Sequence, residues 1–103
     1  MYPGSVLRRG QNNENVRALQ TYLNKIAEFN DAIPSVSPTG YFGQETQRAV
    51  IAFQRAYGLP VRGVVGLSTW NAIAELYNDI ILGEDRSPGQ YPGYPLSQSQ
   101  AVN

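Results

Sequence analysis

The chain has 103 residues, 42% of them hydrophobic, which suits one small domain with one core and argues against disorder along its whole length. Eight basic and eight acidic residues cancel and are spread singly, so the charge pattern gives no case for nucleic acid or an anionic membrane as partner. Cysteine and histidine are both absent, which removes disulfides, thiolate chemistry, the common structural zinc sites and the usual general base near neutral pH.

Tyr2-Pro3-Gly4-Ser5 reads as a turn, and Val6-Leu7 as a short apolar anchor. A first helix is expected from Asn12 or Asn13, either of which can cap it, with Glu14 placed where the helix dipole favours negative charge. Val16, Leu19, Leu23 and Ile26 then form a one-sided apolar stripe that fades near Phe29-Asn30. Ile33-Pro34 and Ser37-Pro38 make the stretch from Asn30 to Thr39 a loop. A second helix follows Gly43, carries Ala49, Val50, Phe53 and Tyr57 on one side, and stops at Gly58. Leu59-Pro60-Val61-Arg62 links it to a third helix, predicted to open with Ser68 as its cap, to line up Trp70, Ile73, Tyr77 and Ile80 at spacings of 3, 4 and 3, and to end by Gly83.

An internal repeat organises this pattern. Gly40-Tyr41-Phe42-Gly43 with Thr46, Ala49 and Val50 recurs 23 residues later as Gly63-Val64-Val65-Gly66 with Thr69, Ala72 and Ile73. Each copy is a glycine turn running into a helix. The expected fold is all-α, a small three-helix orthogonal bundle with glycine turns and at most very short strands, over residues 1–83. Residues 84–103 change to a proline-, glycine- and glutamine-rich composition, expected to be disordered. Within them Tyr91-Pro92-Gly93 and Leu96 match Tyr2-Pro3-Gly4 and Leu7 at an offset of 89, which suggests the start of a further copy in a tandem array.

These residues together resemble the three-helix peptidoglycan-binding domain found at the ends of bacterial cell-wall hydrolases. The resemblance rests on Leu7, Gly10, Val16, Leu19-Gln20 and Leu23-Asn24, then on Thr39 to Gly43, Thr46, Ala49-Val50 and Phe53-Gln54. It closes on Gly58-Leu59, Gly63 to Gly66 and Thr69-Trp70, and so covers roughly residues 6 to 77. Thr39 stands where the family commonly has aspartate, and Asn13 where it has a second turn glycine; asparagine is the best substitute for a positive φ. The tyrosine-proline-glycine lead-in and the long loop are similar to clostridial and bacillar versions, some of which accompany spore-cortex-degrading enzymes. The resemblance implies non-catalytic binding of peptidoglycan, through its glycan strand or stem peptide. It implies a location in the cell wall or spore envelope, with an attached hydrolase domain as partner. The opening Met1-Tyr2-Pro3-Gly4 carries no secretory signal pattern, as a piece of a longer secreted chain also would not.

For the site, Tyr41 alternates with Phe42, so Phe42 in the core would leave Tyr41 outside, beside a glycine turn and ready to stack on a sugar ring. Trp70, half buried with a free indole N–H, would be the second stacking group across a shallow groove, with Gln44, Gln47 and Asn71 supplying neutral amides and Arg62 a carboxylate partner. The four repeat glycines could cradle a ligand with their N–H groups, but the copying of the motif favours turn geometry. Gln20 and Gln54 read as surface amides, and Thr46 and Thr69 as structural hydroxyls. No catalytic residue, metal or cofactor is assigned, because Glu28 and Glu45, the carboxylates near the motifs, show no pairing. The alternative to murein binding is a structural or protein-interaction module of the same fold.

Overall fold

Asn13 opens the first helix. Its extended backbone, at φ −165°, lets the side chain accept the Val16 N–H at 3.0 Å. Asparagine stands here as a helix cap, not as a stand-in for a positive-φ glycine. In the computed structural model, which describes residues 2–84, α1 runs Glu14–Ala27. It buries Val16, Leu19, Leu23 and Ile26, the expected stripe, and also Gln20. Each aliphatic side chain so buried stabilises the fold by about 2 kcal/mol.

The loop after α1 contributes to the core. Ile33 and Val36 are 3% and 4% exposed, and the Asn24 side chain fixes the second of them by accepting the Val36 N–H at 2.7 Å. Neither residue belongs to a periodic stripe, which is why the sequence pattern reads this stretch as loop alone. At its end Thr39 Oγ1 accepts the Tyr41 N–H at 3.1 Å, the turn bond that an aspartate would otherwise make.

α2 runs Gln44–Ala56 and buries Thr46, Ala49, Val50, Phe53 and Gln54. It ends as expected: Gly58 takes φ 73°, and the Leu59 N–H turns back to the Gln54 carbonyl at 2.9 Å. α3 runs Leu67–Glu84, starting one residue before the expected cap. The Trp70 N–H already bonds the Gly66 carbonyl at 2.9 Å, as the Gln47 N–H bonds Gly43 at 3.0 Å, so Ser68 lies inside the first turn and Gly66 precedes the helix. Gly83 does not end α3 within the described residues. The expected further copy at Tyr91 to Leu96 lies outside them.

α1 is the centre of the bundle, packing mainly on α3 and less on α2. The segment before it ties the two turns together through isolated antiparallel bridges, Leu7 with Val65 and Asn12 with Tyr41. Leu7 and Val65 exchange both backbone bonds, at 3.0 and 2.8 Å, and both side chains are buried. Among the described residues the secondary structure is thus three helices with two single bridges. No described helix is long and apolar enough to cross a membrane.

Candidate site at the glycine turns

The two copies of the turn are each held by a buried glutamine from the preceding helix. Gln20 Nε2 donates to the Tyr41 carbonyl at 2.8 Å and to Thr46 Oγ1 at 2.9 Å, while its Oε1 accepts the Gly40 N–H at 2.8 Å. Gln54 Nε2 does the same to the Val64 carbonyl at 3.0 Å and Thr69 Oγ1 at 3.2 Å. Its Oε1 accepts the Arg62 and Gly63 N–H groups at 2.9 and 3.1 Å. Both glutamines are 1% exposed, so they are not the surface amides the sequence suggests. A neutral amide suits the position because it offers two donors and an acceptor at once, matching a carbonyl, a hydroxyl and an N–H that would otherwise be buried unpaired.

This arrangement decides what the turn backbone can do. The N–H groups of Gly40, Tyr41 and Phe42 are taken by Gln20, Thr39 and the Gln11 carbonyl, and those of Gly63 and Val65 by Gln54 and the Leu7 carbonyl. A backbone cradle for a ligand is therefore not formed at these positions, and the glycines serve the turn. Gly40 at φ 90° and Gly63 at φ 73° need glycine for their conformation.

Tyr41 is 50% exposed and Phe42 fully buried, as their alternation predicts. Gln44, the first residue of α2, is exposed beside Tyr41 in the same turn. Gln47 belongs to the other turn: it is half-buried, lies against Gly63 and accepts Arg9 Nη1 at 3.4 Å. Arg62 is exposed immediately before Gly63, and Asn71 is exposed on α3. Trp70 departs from its expected half-open state. It is 3% exposed, with its ring 5.6 Å from that of Tyr22, which in turn lies 4.4 Å from Tyr77. Its indole nitrogen is buried without a hydrogen-bond partner among the described residues. The reason is the bundle itself: the start of α3 faces α1, so the large ring fills their interface and forms no open wall opposite Tyr41.

Two open concavities lie on the outer face of α1. One cleft of about 310 Å³ is bounded by Thr21, Lys25, Tyr77 and Ile81, and an adjoining one of about 440 Å³ by Ser35, Ser37 and Glu45. They share Asn24, Glu28 and Pro38. Glu28 and Glu45 thus line one cleft, a juxtaposition that a gap of 17 residues conceals in the sequence. Both are exposed, Glu28 lying 3.3 Å from the Lys25 ammonium and Glu45 accepting the Ser37 N–H at 3.2 Å. Neither is enclosed by apolar side chains as a general acid requires. Sequence reasoning also misses Asn12, whose partnership with Tyr41 appears only when the chain before α1 folds against the first turn.

Known proteins share this architecture. The sequence model of the peptidoglycan binding domain family matches residues 12–73, which spans all three helices. The chain is 37% identical over 73 residues to the zinc D-Ala-D-Ala carboxypeptidase of Streptomyces albus G, covering 71% of this chain and 28% of that protein. It is 32% identical over 93 residues to the N-acetylmuramoyl-L-alanine amidase CwlL of Bacillus licheniformis, covering 90% of this chain and 24% of the amidase. The chain therefore spans about a quarter of the length of these relatives. Among solved structures, the SleB N-terminal domain superposes with a TM-score of 0.63 at 30% identity, over 75% of this chain and 99% of that one. A peptidoglycan-binding protein from Clostridioides difficile, solved in complex with glutamine hydroxamate, gives the same TM-score at 31% identity, over 75% and 45%. With the family model matching more than half of its residues and the same fold found in these solved structures, this chain belongs to the peptidoglycan binding domain family.

Proposed function

We propose that this domain is a non-catalytic module that binds peptidoglycan and holds an attached cell-wall or spore-cortex hydrolase against murein, outside the cell in the wall or spore envelope. The observation that carries the reading is the family match across residues 12–73, supported by relatives named as a carboxypeptidase and an amidase of which this chain covers only a fraction. Attachment raises the local concentration of the hydrolase at its substrate, so even a weak site is useful, and repeated copies would multiply the effect. The residues proposed to meet the ligand are Tyr41 and Gln44 at the first turn, Gln47 and Arg62 at the second, and Asn71 on α3. Trp70 would support them from within.

Sedimentation with purified murein sacculi tests this directly. The chain is expected in the pellet at low salt and high sacculus load, without clearing the suspension. Complete recovery in the supernatant would sink the reading, and a fall in turbidity would make the chain a hydrolase. One observation favours the protein-interaction alternative. Phe29 and Tyr57 are 61% and 42% exposed at the C-terminal ends of α1 and α2, joined through Asn30, whose Nδ2 donates to the Tyr57 hydroxyl at 3.1 Å. Replacing Phe29 with serine is expected to leave sacculus binding intact; loss of binding would move the murein contact to that surface and remove it as a case for a protein partner.

A further inference from the structure

Gly43 and Gly66 hold the same place in the two repeat units, each directly before a helix, but their surroundings differ. Neither has the positive φ that demands glycine; Gly43 sits at φ −105°, and the positive-φ glycines of the two motifs are Gly40 and Gly63. A Cβ at Gly66 would meet nothing within 4 Å. A Cβ at Gly43 would lie 2.9 Å from Tyr41 Cε2, closer than a Cβ ordinarily comes to another carbon, and a tight 3.2 Å from Cδ2. Glycine is therefore needed at 43 to accommodate the tyrosine ring, a requirement the second copy, with Val64 in place of Tyr41, does not have.

The ring rests on bare backbone, yet the residue remains 50% exposed. Its main chain is fixed on every side. The Tyr41 carbonyl is held by Gln20, its N–H by Thr39, and the flanking Gly40 carbonyl and Phe42 N–H pair with Asn13 and Gln11. We propose that Tyr41, seated on Gly43, is a preset platform on which a pyranose ring of the murein glycan strand stacks, with Gly43 as the positioning residue. This inference rests on the murein-binding reading and names the part of murein that the first turn recognises.

The neighbours suit a neutral sugar. Asn12 is paired with Tyr41 in a narrow bridge that carries no hydrogen bonds between the two residues themselves, so their side chains rise together on the same side. Gln44 is exposed at the adjoining helix start. Both bear amides that can donate to and accept from hydroxyl and acetamido groups. The guanidinium beside the turn is already committed: Arg17 donates to the Pro38 and Thr39 carbonyls at 2.7 and 3.4 Å and lies 3.3 Å from Glu14. A stem-peptide carboxylate would have to compete for it.

The internal repeat supplies its own control. Sacculus affinity and thermal stability are measured for the 103-residue chain and for the Tyr41→Ala, Gly43→Ala and Gly66→Ala variants. Amide shifts are followed by NMR during titration with tetra-N-acetylchitotetraose and, separately, with free stem tripeptide. Gly43→Ala and Tyr41→Ala are each expected to weaken sacculus binding about tenfold, while Gly66→Ala stays within about twofold of the wild type. Gly43→Ala should melt close to the wild type, because its clash is relieved by swinging an exposed ring away. The saccharide, not the peptide, should shift Asn12, Tyr41 and Gln44. Wild-type affinity in Gly43→Ala and Tyr41→Ala, or shifts at this turn with the tripeptide alone, would overturn the platform and leave murein binding standing. Failure of the wild-type chain to bind sacculi at all would instead remove the reading beneath it.

Discussion

Gln20 and Gln54 carry much of what holds the turns, and the cost of losing either follows from what they satisfy. Truncating Gln20 to alanine leaves a carbonyl, a hydroxyl and an N–H buried without partners and opens a cavity, so about 3 kcal/mol of stability is expected to go, read from urea denaturation. Gln54→Ala should cost at least as much, because four groups depend on it. Gly40→Ala is expected to lose about 1–2 kcal/mol, since φ 90° disfavours a side chain and the new Cβ would lie 3.3 Å from the Asn13 carbonyl oxygen. The contrast with Gly43→Ala separates the two uses of glycine in one motif: a conformation at the first position, a clearance at the second. The repeat made their constancy legible, but not which requirement each one answers. Burial of the two glutamines was equally hidden. A helical amide beside an apolar stripe reads as surface until the turn it clamps, 20 residues further along from Gln20, is known to return to it.

At the scale of elements, the apolar periodicity of α1 and α2 was enough to place both helices and their inward faces. Asn13 as cap and Gly58 as stop set their ends. Asn13→Ala should lower stability by about 1 kcal/mol in the same denaturation assay, with the loss confined to the first turn of α1 by amide exchange. For α3 the repeat was a better guide than the capping preference. Gly66 corresponds to Gly43, and the helix starts after it just as α2 starts after Gly43, whereas Ser68 offered a familiar cap two residues too late. Trp70 is more deeply buried than its position suggests for a related reason. At the opening of a helix an aromatic ring is as often outside as inside, and only the packing of α3 on Tyr22 of α1 decides. Ile33 and Val36 lacked any period to betray them, being drawn into the core by a loop that Asn24 pins.

For the whole molecule, architecture and binding are separable. The shared features of the two repeats serve the turns and the core, which α1 and its following loop complete, and the candidate ligand face draws on what the repeats do not share, Tyr41 against Val64 and Gln44 against Leu67. A module with zero net charge, whose proposed contacts are mostly amides, should not depend on ion pairing. Sacculus binding is therefore expected to change less than about threefold between low salt and roughly 0.3 M salt, where exposed charges are largely screened; a steep decline would point to Arg62 and its neighbours as the main contacts. The most direct test of the account is an NMR footprint of soluble murein fragments on the chain. Shifts concentrated on Asn12, Tyr41 and Gln44, with Phe29 and Tyr57 unmoved, are the predicted result. Shifts confined to the Phe29–Tyr57 end, or none at saturating fragment, would contradict it.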